Sequence, residues 1–176
     1  MGVTGRVRAA PPGPSRNDHT GRGSGTDMDV TRDDLAGVAD LFGALTREEL
    51  RTALSELAYR RGDEFDADEA DEAIDDAIAA YALAEYDDLL VDGPTAFPAL
   101  PNGAEDLPHI MDVEERGVDR EALGERVRER VREEAEAALD VGDEERAATL
   151  LDVCYDVEAW APVSLDETRA ELDRRV

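Results

Sequence analysis

Cys154, His109 and a large surplus of carboxylates are what this sequence offers for chemistry. A thiol with an imidazole beside it makes a nucleophile–base pair, provided the fold brings the two together. Cys154 lies in Leu150-Leu-Asp-Val-Cys-Tyr155, an apolar helical context, so a buried and inert thiol is expected. His109 follows Pro108 and is expected in a loop, bonding nearby backbone. Asp66-Ala-Asp68 opens like a calcium loop. Ala70 then stands at the fifth position, Asp71 replaces the turn glycine and Ala77 the closing glutamate, so the loop is rejected. Gly21, Gly23 and Gly25 resemble a phosphate loop, with no strand before them and no clear helix after. Carboxylate pairs occur throughout and single out no site. No catalytic, cofactor or metal residue is assigned.

The charge balance is more informative. All 19 basic residues are arginine, there is no lysine, and 45 Asp and Glu leave a net charge of −26. Such self-repulsion destabilises a compact chain in dilute buffer. In molar salt the screening length falls to about 3 Å. Abundant Ala, Arg, Asp and Val, two Asn and no Gln fit a GC-rich genome. The expectation is a halophilic, cytoplasmic protein. One cysteine excludes an internal disulfide and a multi-cysteine zinc site. No apolar run approaches the ~20 residues that span a bilayer, and no signal-peptide core is seen. No membrane association is expected.

Four segments are expected. Residues 1–27 hold four arginines, two acids, six glycines and three prolines, and read as a disordered basic tail. Translation is read as starting at Met28, a nucleic-acid-binding arm being the alternative. Residues 28–98 read as a helical, winged-helix-like unit, 99–118 as a Pro-rich loop or linker, and 119–176 as C-terminal helices packed on that unit. The fold class is therefore mainly α, with a three-helix N-terminal unit and a small β-hairpin.

Local signals predict the elements. Thr31 caps a helix to about Phe42, with Gly43 as its stop. Thr46-Arg-Glu-Glu49 is a capping box for a helix ended by Gly62. A third helix spans about Ala67 to Ala82, with Ala70, Ile74, Ala77, Ile78 and Tyr81 on one face and Asp71, Glu72, Asp75 and Asp76 on the other. Two short apolar stretches around Asp87-Asp88 predict a hairpin. Three prolines make 97–108 irregular, packed through Phe97, Leu100 and Leu107. Asp119 caps a helix to about Val141, with Leu123, Val127, Val131, Ala135 and Leu139 in one stripe. Another helix covers about Glu144 to Tyr155, and Ser164-Leu-Asp-Glu167 reads as a second capping box.

A functional surface is expected at His109, Ile110, Met111, Tyr155 and Trp160, where anchoring side chains stand in non-repetitive stretches. The bland alternative for Trp160 is a plug between the two halves. Arg126 and Arg130 join the candidates as members of an arginine cluster at 114–132. That cluster also reads as a solvated helix with weak ion pairs three and four residues apart.

Leu45-Thr-Arg-Glu-Glu-Leu50, Gly93-Pro-Thr-Ala-Phe-Pro98, Ala104-Glu-Asp-Leu-Pro-His-Ile-Met-Asp112 and Leu151-Asp-Val-Cys-Tyr-Asp-Val-Glu-Ala-Trp-Ala-Pro162 resemble a haloarchaeal family of unknown function. The resemblance covers about residues 28–175 and implies no activity. The expected function is a non-enzymatic protein-interaction or regulatory module with an unidentified protein partner. A winged-helix DNA-binding regulator is one alternative, disfavoured by the acidic third helix. A small enzyme using His109 and acidic residues is the other.

Overall fold

A computed structural model describes residues 30–114 and 116–175. The reading of 1–27 as a tail, and of Met28 as the start, lies outside these residues. The described residues form α1 (Arg32–Phe42), β1 (Leu45–Thr46), α2 (Arg47–Arg61), α3 (Ala67–Ala79), β2 (Leu83–Tyr86), β3 (Leu89–Asp92), α4 (Leu107–Ile110), α5 (Arg120–Val141), α6 (Glu144–Trp160) and α7 (Asp166–Asp173). A single 3-10 turn, Ala104–Asp106, precedes α4.

The helix starts follow their caps. Thr31 with Asp34, and Thr46 with Glu49, form reciprocal capping boxes. Asp66 and Asp119 each accept two first-turn amides. Gly62 and Gly142 close α2 and α5 in the left-handed conformation that glycine adopts without a Cβ penalty.

Three antiparallel strands lie in the order β1-β3-β2, with Leu45 opposite Leu90 and Leu83 opposite Asp92. Helix, strand, two helices and hairpin, with the first strand on the outer edge of the hairpin, is the winged-helix order. The sheet is also a wall between two cores, because successive side chains of a strand point to opposite faces. Leu45, Leu83 and Leu90 join the core made by α1–α3. Ala44, Ala84 and Val91 join the core made by α5–α7.

Several expectations are corrected. The third helix stops at Ala79, short of Ala82. Tyr81 takes a left-handed φ of 63°. The Ala82 amide then reaches back to the Ala77 carbonyl, a Schellman closure with tyrosine where glycine is usual. That turn carries the Tyr81 ring from the first core into the second. The segment 97–108 is partly helical: Pro108 fits the first turn of α4, where no amide is needed. Only Leu107 of its three expected anchors is buried; Phe97 and Leu100 face outward. Helix α6 continues past Tyr155 to Trp160. The capping box at α7 does not form: the Ser164 hydroxyl accepts from the Asp166 amide at 3.4 Å and donates to the Asp166 carboxylate. β1 leaves no mark in the sequence, since two residues carry no periodicity.

The strap between β3 and α5 is tied down at several described residues. The Gly93 amide bonds the Ala82 carbonyl, and a Cβ there would come within 2.2 Å of the Tyr81 carbonyl oxygen. Further on, Arg116 clasps Glu49 through both guanidinium nitrogens, one at 2.7 Å. That hydrogen bonding lowers the Glu49 carboxyl from 4.5 to about 2, against the opposing effect of burial. A carboxyl with a pKa depressed on folding stabilises the fold above its unfolded value and loses that contribution as pH falls towards the folded one. The pair should therefore weaken as pH drops from 4.5 to about 2. Denaturant titration of the native chain and Glu49→Gln should show a stability gap near neutral pH that closes over this range. A constant gap would mean the pair is electrostatically neutral.

Candidate functional site

The reader helix of a winged-helix domain lies in the major groove. Here that helix is α3. Glu72, Asp75 and Asp76 are exposed on it and Asp71 is half-buried. The arginines of α2 beside this face are already engaged. Arg47 pairs with Asp75 and lies 3.7 Å from Asp71, and Arg51 lies 3.6 Å from Asp71. Arg60 bonds Asp106 at 3.0 Å and Arg61 the Asn102 carbonyl at 2.9 Å, so both hold the strap. At the tip of the hairpin stand Asp87 and Asp88, with Arg126 paired to Asp87 at 2.7 Å and stacked 4.7 Å over Tyr86. Both elements that would meet DNA are acidic, with their arginines spent on intramolecular pairs.

Within the arginine cluster, Arg128 and Arg132 pair with Glu125 and Glu129 along α5, while Arg116, Arg120, Arg126 and Arg130 reach other elements. Arg130 stacks 4.2 Å over Tyr81, donates to the Ile78 carbonyl at 2.9 Å and pairs with Glu134 at 2.9 Å. It thus caps the end of α3 from α5, fifty-two residues away in sequence. Arg146 of α6 holds the other oxygen of Glu134. Burial raises the Glu134 carboxyl, yet hydrogen bonds from Arg146 and Arg130 leave it below its ordinary value. Arg120 pairs with Asp92 at 2.8 Å and lies 5.7 Å from the Trp160 ring, whose indole N–H also faces Asp92 at 3.5 Å. Trp160 packs on the second core, at the seam between hairpin and C-terminal helices. Guanidinium planes stack and fork in ways an ammonium does not, which suits a lysine-free chain.

The residues expected to form one functional surface are thus dispersed. His109 and Ile110 are exposed on α4, and Met111 packs on the first core. Trp160, Arg126 and Arg130 bind the seam. Tyr155 is half-exposed on α6 under the Arg169 guanidinium at 4.7 Å. Cys154 is buried in the second core, where burial, then the Glu158 charge, push its thiol up to about 11. With His109 exposed beside the first core, the nucleophile–base pair does not form. Asp92 and Glu134 were missed in the sequence, where each is one carboxylate among many.

An open cleft of about 670 Å³ lies where α1, α3 and α6 meet. Arg32 and Arg146 line it with Asp33, Asp76, Asp152 and Asp156. Burial and the Asp152 charge raise the Asp156 carboxyl. Among the described residues no three His, Cys, Asp or Glu side chains are grouped to hold a metal ion. No helix there is long and apolar enough to cross a membrane.

A family model, described as a family of unknown function (DUF7109), matches residues 33–176. The chain belongs to this family. The match runs from the first turn of α1 to the end of the chain, so the family's pattern takes in both cores and the sheet between them. No curated protein and no solved structure matches. DUF7109 has no assigned activity, and function must be argued from the geometry.

Proposed function

We propose that this chain is a non-enzymatic protein-contact module of a halophilic cytoplasm, built on a winged-helix unit that no longer reads DNA. One observation carries the reading: the exposed face of α3 is acidic and its neighbouring arginines are consumed in pairing those acids. Phosphates are repelled by such a face, and the salt expected of the cell weakens DNA contacts further. Six phosphate contacts give a slope of about −5, so tenfold more salt costs about five decades of affinity. Apolar protein contacts survive those conditions, because salt screens ion pairs while leaving burial intact. The winged-helix order favours the second reading, a DNA-binding regulator, which needs a basic surface supplied by a partner.

Affinity capture of the full chain from lysate at molar potassium chloride tests this, with and without nuclease. A stoichiometric protein that survives nuclease is the expected result. Enriched DNA with no such protein would overturn it.

A further inference from the structure

We propose that the exposed edge Phe97–Leu100 is the docking epitope of this module, taken by a partner protein whose apolar groove accepts an extended, proline-bearing segment. The inference rests on the protein-contact reading above. Residues 93–104 contain no charged side chain, in a chain that is 36% charged. Inside that stretch Phe97, Pro98, Ala99 and Leu100 are consecutively exposed, Phe97 at 83% and Leu100 at 47%. The core is short of aromatics, and Phe42 and Phe65 pack against it. Phe97 is left in solvent.

The edge is also held rigidly. The Phe97 amide donates to the Asp33 carboxylate and the Ala99 amide to the Asp33 carbonyl, both at 3.0 Å. Gly37 of α1 lets the strap lie flat: a Cβ there would stand 2.0 Å from the Ala99 carbonyl oxygen. Pro98 and Pro101 force the residues before them into extended conformations. Phe97 and Leu100 are both exposed on this segment. A pre-ordered segment loses little conformational freedom on binding. A phenylalanine buries about 150–250 Å², so this edge falls well short of the ~800 Å² per partner of a stable flat interface. A groove that wraps the segment escapes that limit and is a known mode for proline-bearing peptides.

Benzoylphenylalanine placed at Phe97 in the full chain, and separately at the exposed Val141, would be photo-crosslinked in lysate at molar potassium chloride. The crosslinked protein would then be purified and titrated with the native chain and with Phe97→Ala, Leu100→Ala and Gly37→Ala. The proposal expects crosslinking from position 97 only. It expects at least tenfold weaker binding for Phe97→Ala and Leu100→Ala at unchanged circular dichroism. Gly37→Ala should also weaken binding, through displacement of the strap. A partner that binds Phe97→Ala as tightly as the native chain would overturn the epitope and leave the protein-contact reading standing. A second copy of the chain as the sole crosslinked species would overturn it too. Capture of DNA alone would remove both readings.

Discussion

Val91→Asp should unfold both halves of the molecule in one transition. Val91 is fully buried on the face of β3 that joins the second core, while its neighbour Leu90 serves the first. An unpaired carboxylate at that place costs several kcal/mol. A domain of this kind has about 5–15 kcal/mol in all. Because the sheet is the wall of both cores, α1 and α2 cannot keep their packing once β3 leaves. Trp160 fluorescence reports the seam, and hydrogen exchange of the α1 and α2 amides reports the first core. Coincident loss of both signals is expected. If the α1 and α2 amides stay protected after Trp160 is exposed, the halves are independent and the shared-wall account fails.

The second large effect is expected from salt. A net charge of −26 lies on the chain, and residues 1–27 contribute +2, so the remainder holds −26 − (+2) = −28. Many of its arginines pair acids on neighbouring elements, as Arg47 does Asp75 and Arg126 does Asp87. Exposed pairs of this kind contribute only about 0–1 kcal/mol each. They relieve local repulsion without cancelling the excess. At 0.1 M salt the screening length is about 10 Å, comparable to the spacing of helices, and falls to about 3 Å at 1 M. The described part should therefore loosen or unfold below about 0.5 M salt. Far-UV circular dichroism across a potassium chloride dilution series checks this. An unchanged spectrum in low-salt buffer would contradict the halophile reading.

Elements written in local chemistry were legible in the sequence. Thr31, Thr46 and Asp119 announce their helices by side-chain caps, and the α5 stripe follows from spacing alone. Elements fixed by distant partners were not legible. β1 exists because Leu45 and Thr46 pair with Leu90 and Leu89, more than forty residues on. Tyr81 holds a left-handed turn beneath Arg130, with the end of α3 capped across the seam. The proline run suggested a packed loop. The side to which Phe97 turns, however, is set by the Asp33 and Gly37 contacts of α1. The expected surface likewise gathered residues by type, and the fold distributes them between α4, the seam and the outside of α6. Trp160 packs on the second core at that seam.

Affinity for duplex DNA decides whether α3 reads it. The chain would be titrated against a labelled pool of sheared genomic duplex at each potassium chloride concentration where circular dichroism shows it folded. In parallel, a variant combining Glu72→Arg, Asp75→Arg and Asp76→Arg would show whether the winged-helix geometry can still seat DNA. No saturable binding by the native chain and a salt-sensitive gain in the variant are expected. Saturable binding by the native chain, weakening by several decades per tenfold rise in salt, would contradict this and make α3 a reader helix after all.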